Sequence, residues 1–258
     1  MTGSVAWITI APVKALALES LEEVELAEGG PVGDRRFFLV DETGRLVNNK
    51  GLGILQQVRP VYDEADRTLE LSFPDGATVK EAVSLGDAID TAFWGITVPA
   101  RLVVGPWSDA LSELAGKSLR LVDAGRPAVD RGRGGAASLV STSSLAVLAE
   151  ELGVDAVDGR RFRMQFGIDG VEPHAEDGWI GKRIGIGQAI VVPIGNVGRC
   201  AVTTQNPETG RPDLDTLKAL AHYREVPETT EPLPFGVHAA VSRAGLVRVG
   251  DPVELLAS

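Results

Sequence analysis

A single cysteine, Cys200, occurs in the 258 residues, in the run Gly195-Asn196-Val197-Gly198-Arg199-Cys200-Ala201-Val202-Thr203-Thr204. A thiolate is both a nucleophile and a soft metal ligand, and a lone thiol also serves as a small buried apolar residue. The residues alone leave four roles open: metal ligand, persulfide carrier, redox sensor and inert core. Arg199 favours the thiolate electrostatically if the two side chains meet, although neighbours on an extended chain face opposite ways. The turn Asn206-Pro207-Glu208-Thr209-Gly210 puts the cysteine near the end of an element.

Cationic side chains recur at the ends of apolar segments: Lys14, Arg35 and Arg36 before Phe37-Phe38-Leu39-Val40, Arg160-Arg161-Phe162-Arg163, and Arg199. Arginine reads phosphate with a planar fork and lysine adds a point charge. Taken singly, each is read as pairing with a nearby carboxylate. Taken together, clusters at strand ends can converge at one mouth of a barrel. Arg131 and Arg133 in Gly132-Arg133-Gly134-Gly135 leave room for an anion contact, but this glycine run is read as a turn or loop, not a dinucleotide fingerprint, because no βαβ alternation surrounds it. His174, His222 and His238 lack zinc spacing and are read as structural or surface residues. No G-x-S-x-G elbow is present.

The elements that must position these groups read mostly as short strands and turns. Val5–Ile10 and Arg36–Val40 are strand candidates, the latter closed by Asp41-Glu42-Thr43-Gly44. Leu69–Phe73 alternates and turns at Pro74-Asp75-Gly76. Leu246–Val249 and Val253–Leu256 flank Gly250-Asp251 as a hairpin. Three helices are expected. One follows Ser108 as cap and ends before Gly116. A second is capped by Thr142 or Ser143 and stops at Gly153. A third opens at Asp213 or Asp215 over Leu-Asp-Thr-Leu-Lys-Ala-Leu. Asp87–Trp94 reads equally as helix or strand, and Val226–Gly236 as an ordered surface loop. A soft boundary at Gly116-Lys117 divides the chain into 1–117 and 118–258.

Composition bounds the function. Apolar residues make up 44% and charged residues 24% of the chain, as in an ordinary globular protein. The net charge of −11 argues against nucleic acid as a partner. No apolar run reaches the ~18 residues of a membrane span. The N-terminus lacks a basic leader with an apolar core, so no signal peptide is expected. A lone cysteine fits a reducing compartment, and a cytoplasmic location is expected.

Several motifs together resemble the MOSC domain, the C-terminal domain of molybdenum-cofactor sulfurases. They are Phe162-Arg163, Ala175–Gly181 (AEDGWIG), Arg199–Thr204 (RCAVTT), the NPETG turn, Thr216–Leu220 (TLKAL), Phe235-Gly236 and Val249–Leu256 (VGDPVELL). Pro12-Val13-Lys14 and Asp34–Gly44 are similar to the β-barrel domain that often precedes it. The resemblance implies a mainly β (α+β) fold: a MOSC β-barrel, a smaller N-terminal barrel-like domain and a few short helices. It implies a molybdopterin-type molybdenum cofactor with Cys200 as the metal ligand and Lys14, Arg35, Arg163, Arg199 and Gln165 around its anionic end. An amidoxime-reducing type of activity follows, an oxidoreductase acting on small N-hydroxylated substrates with electrons from a separate donor protein. The alternatives are a Cys200 persulfide carrier loaded by a partner desulfurase, and a non-catalytic cofactor-binding module. Pyridoxal phosphate enters only as a family-level association, since no desulfurase domain is present. The chain departs from the family at Ala15, where a serine is usual, and at Met164-Gln165, where Pro-Asn is usual.

Overall fold

The computed structural model describes residues 2–93, 95–125, 132–226 and 229–257, the side chains of 132 and 133 excepted. Trp94 and Arg131 therefore lie outside the described residues, as does the Arg133 side chain.

Seven strands close into a barrel in the order Phe166–Asp169, Ala137–Ser141, Val237–Arg243, Ala189–Asn196, Ile184–Ile186, Pro252–Leu255 and Thr2–Ile10. Thr2–Ile10 pairs back onto Phe166–Asp169. Neighbours are antiparallel except Ala137–Ser141 beside Phe166–Asp169. A parallel pair needs a crossover, and helix Thr142–Leu152 lies in that connection. The interior is filled by inward-facing apolar residues, among them Val5, Ile8, Leu139, Phe166, Ile168, Ile186, Val237 and Val253. Closure leaves these strands no unpaired edge around the ring.

Beside the barrel lie a five-stranded sheet (Ser84–Phe93, Ile96–Val104, Arg120–Asp123, Phe37–Val40, Leu46–Val47), a three-stranded meander (Arg59–Asp63, Thr68–Ser72, Thr78–Ala82) and a three-stranded sheet (Gly245–Arg248, Glu23–Ala27, Gly30–Pro31), while Glu19–Leu21 pairs with Thr2–Ile10. The five-stranded sheet and the meander share a core of Leu16, Phe37, Leu39, Leu55, Leu71 and Leu121 around Trp107, whose indole donates to the Leu69 carbonyl at 3.2 Å. Pairing crosses the division at residue 117 in both directions. The first strand completes the C-terminal barrel, and Gly245–Arg248 pairs with Glu23–Ala27. At one further contact Gly53 meets Gly210 backbone to backbone. A Cβ on either would stand 2.0 or 1.8 Å from the other's carbonyl oxygen, so only glycine fits.

Three expectations change in detail. The first helix spans Trp107–Ala115 with Pro106 before it; Ser108 lies inside and its hydroxyl accepts from the Leu121 amide instead. The second is capped by Ser141, whose hydroxyl accepts from the Ser144 amide at 3.1 Å, and stops at Gly153 in the left-handed region. The third spans Thr216–Tyr223 behind Asp215, one of its two candidate caps. Gly250-Asp251 does reverse the chain, but its flanking strands do not pair with each other. Gly245–Arg248 joins Glu23–Ala27, whereas Pro252–Leu255 enters the barrel. Distant edges with buried partners win over the local hairpin. Asp87–Trp94 resolves to strand through Phe93. Among the described residues no helix is long and apolar enough to cross a membrane.

His174 packs between Tyr223 and Phe235, at centroid distances of 5.8 and 5.7 Å, with both ring nitrogens shut from solvent. Burial, helped by the Arg224 guanidinium and opposed by Asp177, pushes its pKa from 6.5 down to about 4. Between those values the unfolded chain binds a proton that the folded chain refuses. Stability should therefore fall as pH drops from about 6.5 toward 4. Thermal melts across that window should show the decline, and His174→Gln should flatten it.

Candidate functional site

The two halves of the chain meet around a cavity of about 250 Å³. Its walls carry Lys14, Arg35, Lys50, Arg161, Arg163 and Arg199, together with Cys200, and no described carboxylate faces it. In a chain of net charge −11 that concentration of positive charge is local and specific.

Each wall residue is held by an identifiable local device. Cys200 sits in extended backbone just before the 3₁₀ turn Ala201–Thr204, and its carbonyl accepts from the Thr203 amide and hydroxyl at 3.0 and 3.1 Å. That hydroxyl bonds Thr216 Oγ1 at 2.8 Å, which ties the turn to the start of the third helix. The thiol residue itself is exposed. Arg199 points the other way into the wall and is 8% exposed. Its Nε donates to the Phe235 carbonyl at 2.9 Å and Nη1 to that of Phe162 at 3.0 Å, and the guanidinium lies 5.1 Å from the Phe162 ring centroid. Adjacent residues thus divide the work: one reaches the cavity, and the other stitches its back wall.

Arg35 is paired through Nη1 with Asp34 and donates through Nη2 to the Arg163 carbonyl at 3.2 Å. Asp34 is fully buried. It also accepts from the Ala11 amide at 2.7 Å and from Gln165 Nε2 at 2.8 Å. Gln165, itself buried, accepts from Ser138 Oγ through its other amide atom. Arg163 ends the 3₁₀ turn Gly159–Phe162 and donates to the Leu16 carbonyl at 2.8 Å. Lys14 has its ammonium 5.6 Å from the Phe93 ring centroid. Arg161 grips Asp213 with two bonds, 2.6 and 3.0 Å, and holds that carboxyl below its ordinary pKa. Ala15, Arg35 and Arg163, all cavity residues, have φ of +81°, +48° and +52°. Residues with a Cβ adopt the left-handed region at a cost of ~1–3 kcal/mol each, and such strain gathers at functional sites.

The structure therefore brings together Cys200, Lys14, Arg35, Arg163, Arg199 and Gln165. It leaves Arg36 paired with Asp123 and Glu64, and Arg160 with Asp158 and Glu208, on other surfaces. Sequence reasoning did not single out Asn49, Lys50 or Ser138 and read His238 as a structural or surface residue, yet all four line the cavity. Asn49 is 5% exposed, and its amide nitrogen has no hydrogen-bond partner among the described residues. The Asn49 main-chain carbonyl accepts from Gln205 Nε2 at 3.0 Å, and Gln205 Oε1 accepts from Gln56 Nε2 at 2.7 Å, so the loop is tied to the turn that follows Cys200. The only signal for it was a polar turn, Asn48-Asn49-Lys50-Gly51, after an apolar strand.

Fold and cavity define a class: a closed β-barrel protein presenting one exposed thiol among cations at the junction of two halves. The particular family follows from comparison. Residues 127–254 match the MOSC domain and residues 2–113 the MOSC N-terminal beta barrel domain, and the chain belongs to the MOSC family. It is 27% identical to mitochondrial amidoxime-reducing component 1 of Xenopus laevis across 97% of this chain and 81% of that one. It is 32% identical to the human protein of that name over 46% of this chain and 36% of that one. The YuaD protein of Bacillus subtilis superposes with a TM-score of 0.48 at 12% identity, covering 98% of this chain and 94% of that one.

The two neighbours separate by stability. Arg199→Met leaves the Phe162 and Phe235 carbonyls without their donor and should cost about 3 kcal/mol in urea unfolding. Cys200→Ser, at an exposed position, should change stability by less than ~0.5 kcal/mol.

Proposed function

We propose that this protein binds a molybdopterin-type molybdenum cofactor in the cationic cavity and acts as an oxidoreductase on small N-hydroxylated compounds. The observation that carries the reading is the pairing of one exposed thiol with six cationic side chains and no described carboxylate in a single cavity. The residues present suit such a guest. A soft metal takes a thiolate ligand, an anionic tail takes guanidinium and ammonium groups, and the partnerless buried amide of Asn49 offers one more donor. Membership of the MOSC family and likeness to amidoxime-reducing components support it further.

When bound, the cofactor supplies the two-electron redox change and the oxygen-atom exchange. Cys200 holds the metal. Lys14, Arg35 and Arg163 take the anionic end, with Arg35 and Arg163 pre-oriented by Asp34 and the Leu16 carbonyl. Gln165 braces Asp34 from behind, and Arg199 adds charge through the wall it stitches. Electrons come from a separate donor protein. Exposure of Cys200 also suits a persulfide carrier loaded by a desulfurase, so the test must tell the two apart.

Protein made in a host that synthesises the cofactor should contain molybdenum and pterin. Cys200→Ser should lose nearly all the metal while keeping its circular dichroism spectrum. Lys14→Gln should weaken retention of the cofactor about tenfold or more, the scale of one charge-assisted bond. Absence of molybdenum, with a mass gain of one sulfur on Cys200 after incubation with a desulfurase, would favour the carrier.

A further inference from the structure

Of the three histidines, His222 is exposed on the third helix and His174 lies beyond Phe235, away from the cavity. His238 lines the cavity with Cys200. It is half-buried on strand Val237–Arg243, between Ser138 and Gly195, its register partners on the neighbouring strands. Its Nδ1 is 2.8 Å from the Gly134 carbonyl oxygen. A carbonyl can only accept, so Nδ1 carries the hydrogen and Nε2 of the neutral ring is left with a bare lone pair. Gly195 makes room for that nitrogen: a Cβ there would stand 2.9 Å from Nε2. The charged and titratable groups sharing the cavity are Lys14, Arg35, Lys50, Arg161, Arg163, Arg199 and Cys200. The lysines and arginines of that set can only donate, whereas His238, in the tautomer its bond to Gly134 sets, offers an acceptor at Nε2.

We propose that His238 is the proton-transfer residue of this cavity, working through Nε2 on the hydroxyl of an N-hydroxylated substrate. This rests on the function proposed above. Reduction of such a substrate consumes two electrons and two protons. The N–O bond breaks, nitrogen gains an N–H bond, and oxygen leaves as water. Both electrons come from the separate donor protein by way of the cofactor. Nε2 takes a proton from solvent, the imidazolium hands it to the departing oxygen, and the second proton comes from water. The same lone pair accepts the substrate's N–O–H hydrogen bond, a task that no lysine or arginine of the cavity can perform.

His238→Asn tests this, because the asparagine amide can still donate to the Gly134 carbonyl while nothing replaces Nε2. In molybdenum-loaded protein the variant should keep its metal content and a KM within a few-fold of wild type. Its kcat should fall about 100-fold, the usual scale for a lost acid–base group. The limb of the wild-type pH profile on which activity falls with rising pH should vanish. Nitrogen-15 NMR of histidine-labelled wild-type protein, with no cofactor added, should show His238 protonated at Nδ1 and bare at Nε2. A metal-loaded variant with unchanged kcat and pH profile overturns the assignment alone, as does a proton found on Nε2. Wild-type protein that never takes up molybdenum overturns the cofactor reading and this proposal together.

Discussion

Mutual repulsion among six cationic side chains around one small cavity is the constraint on which the rest of the site depends. The structure meets it from behind. Asp34 neutralises Arg35, Asp213 takes the fork of Arg161, and main-chain carbonyls take Arg163 and Arg199. The compensating carboxylates stand outside the lining, so the balance of charge is local while the field within the cavity stays positive.

The same arrangement explains where backbone strain is tolerated. Among the described residues, Ala15, Arg35 and Arg163 are three of six non-glycine residues at positive φ, and all three belong to this cavity. Each sits at a turn whose neighbours fix it. Val13 bridges to Phe37, Arg35 donates to the Arg163 carbonyl, and Arg163 closes a 3₁₀ turn with its own amide on the Arg160 carbonyl. Two turns far apart in the chain, around residues 35 and 163, are thus joined by a hydrogen bond where both backbones are left-handed.

Joining the halves is what makes the cavity. The first strand closes the barrel of the C-terminal part, Lys14 follows it into the cavity wall, and Arg35 returns to that wall after three intervening strands. Gln56, Gln205 and the Asn49 carbonyl then tie the loop at residue 49 to the turn that follows Cys200. Gly53 and Gly210, three residues before Gln56 and five after Gln205, meet backbone to backbone and join the same two segments.

Much of this was legible in the chain. Alternating apolar strands, helices stopped by Gly116 and Gly153, the lone Cys200 and the clusters at Lys14, Arg35 and Arg163 are local patterns with local physical causes, and the family motifs follow them in order, whereas the first two helix starts were not legible because Ser108 and Ser141 are placed by tertiary contacts. Adjacent arginines look alike in sequence, yet Arg35 faces the cavity while Arg36 pairs with Asp123, and Arg163 faces it while Arg160 pairs with Asp158. Which cation turns inward depends on φ at single residues and on partners more than a hundred positions away, as Arg163 depends on Leu16. The split of the Gly250-Asp251 strands and the locked ring of His238 share that cause. Sequence alone determined which chemistry the chain carries, because residue type is a local property. Only the tertiary structure decided which side chains meet, because hydrogen-bond partners and burial are set by contacts between distant segments.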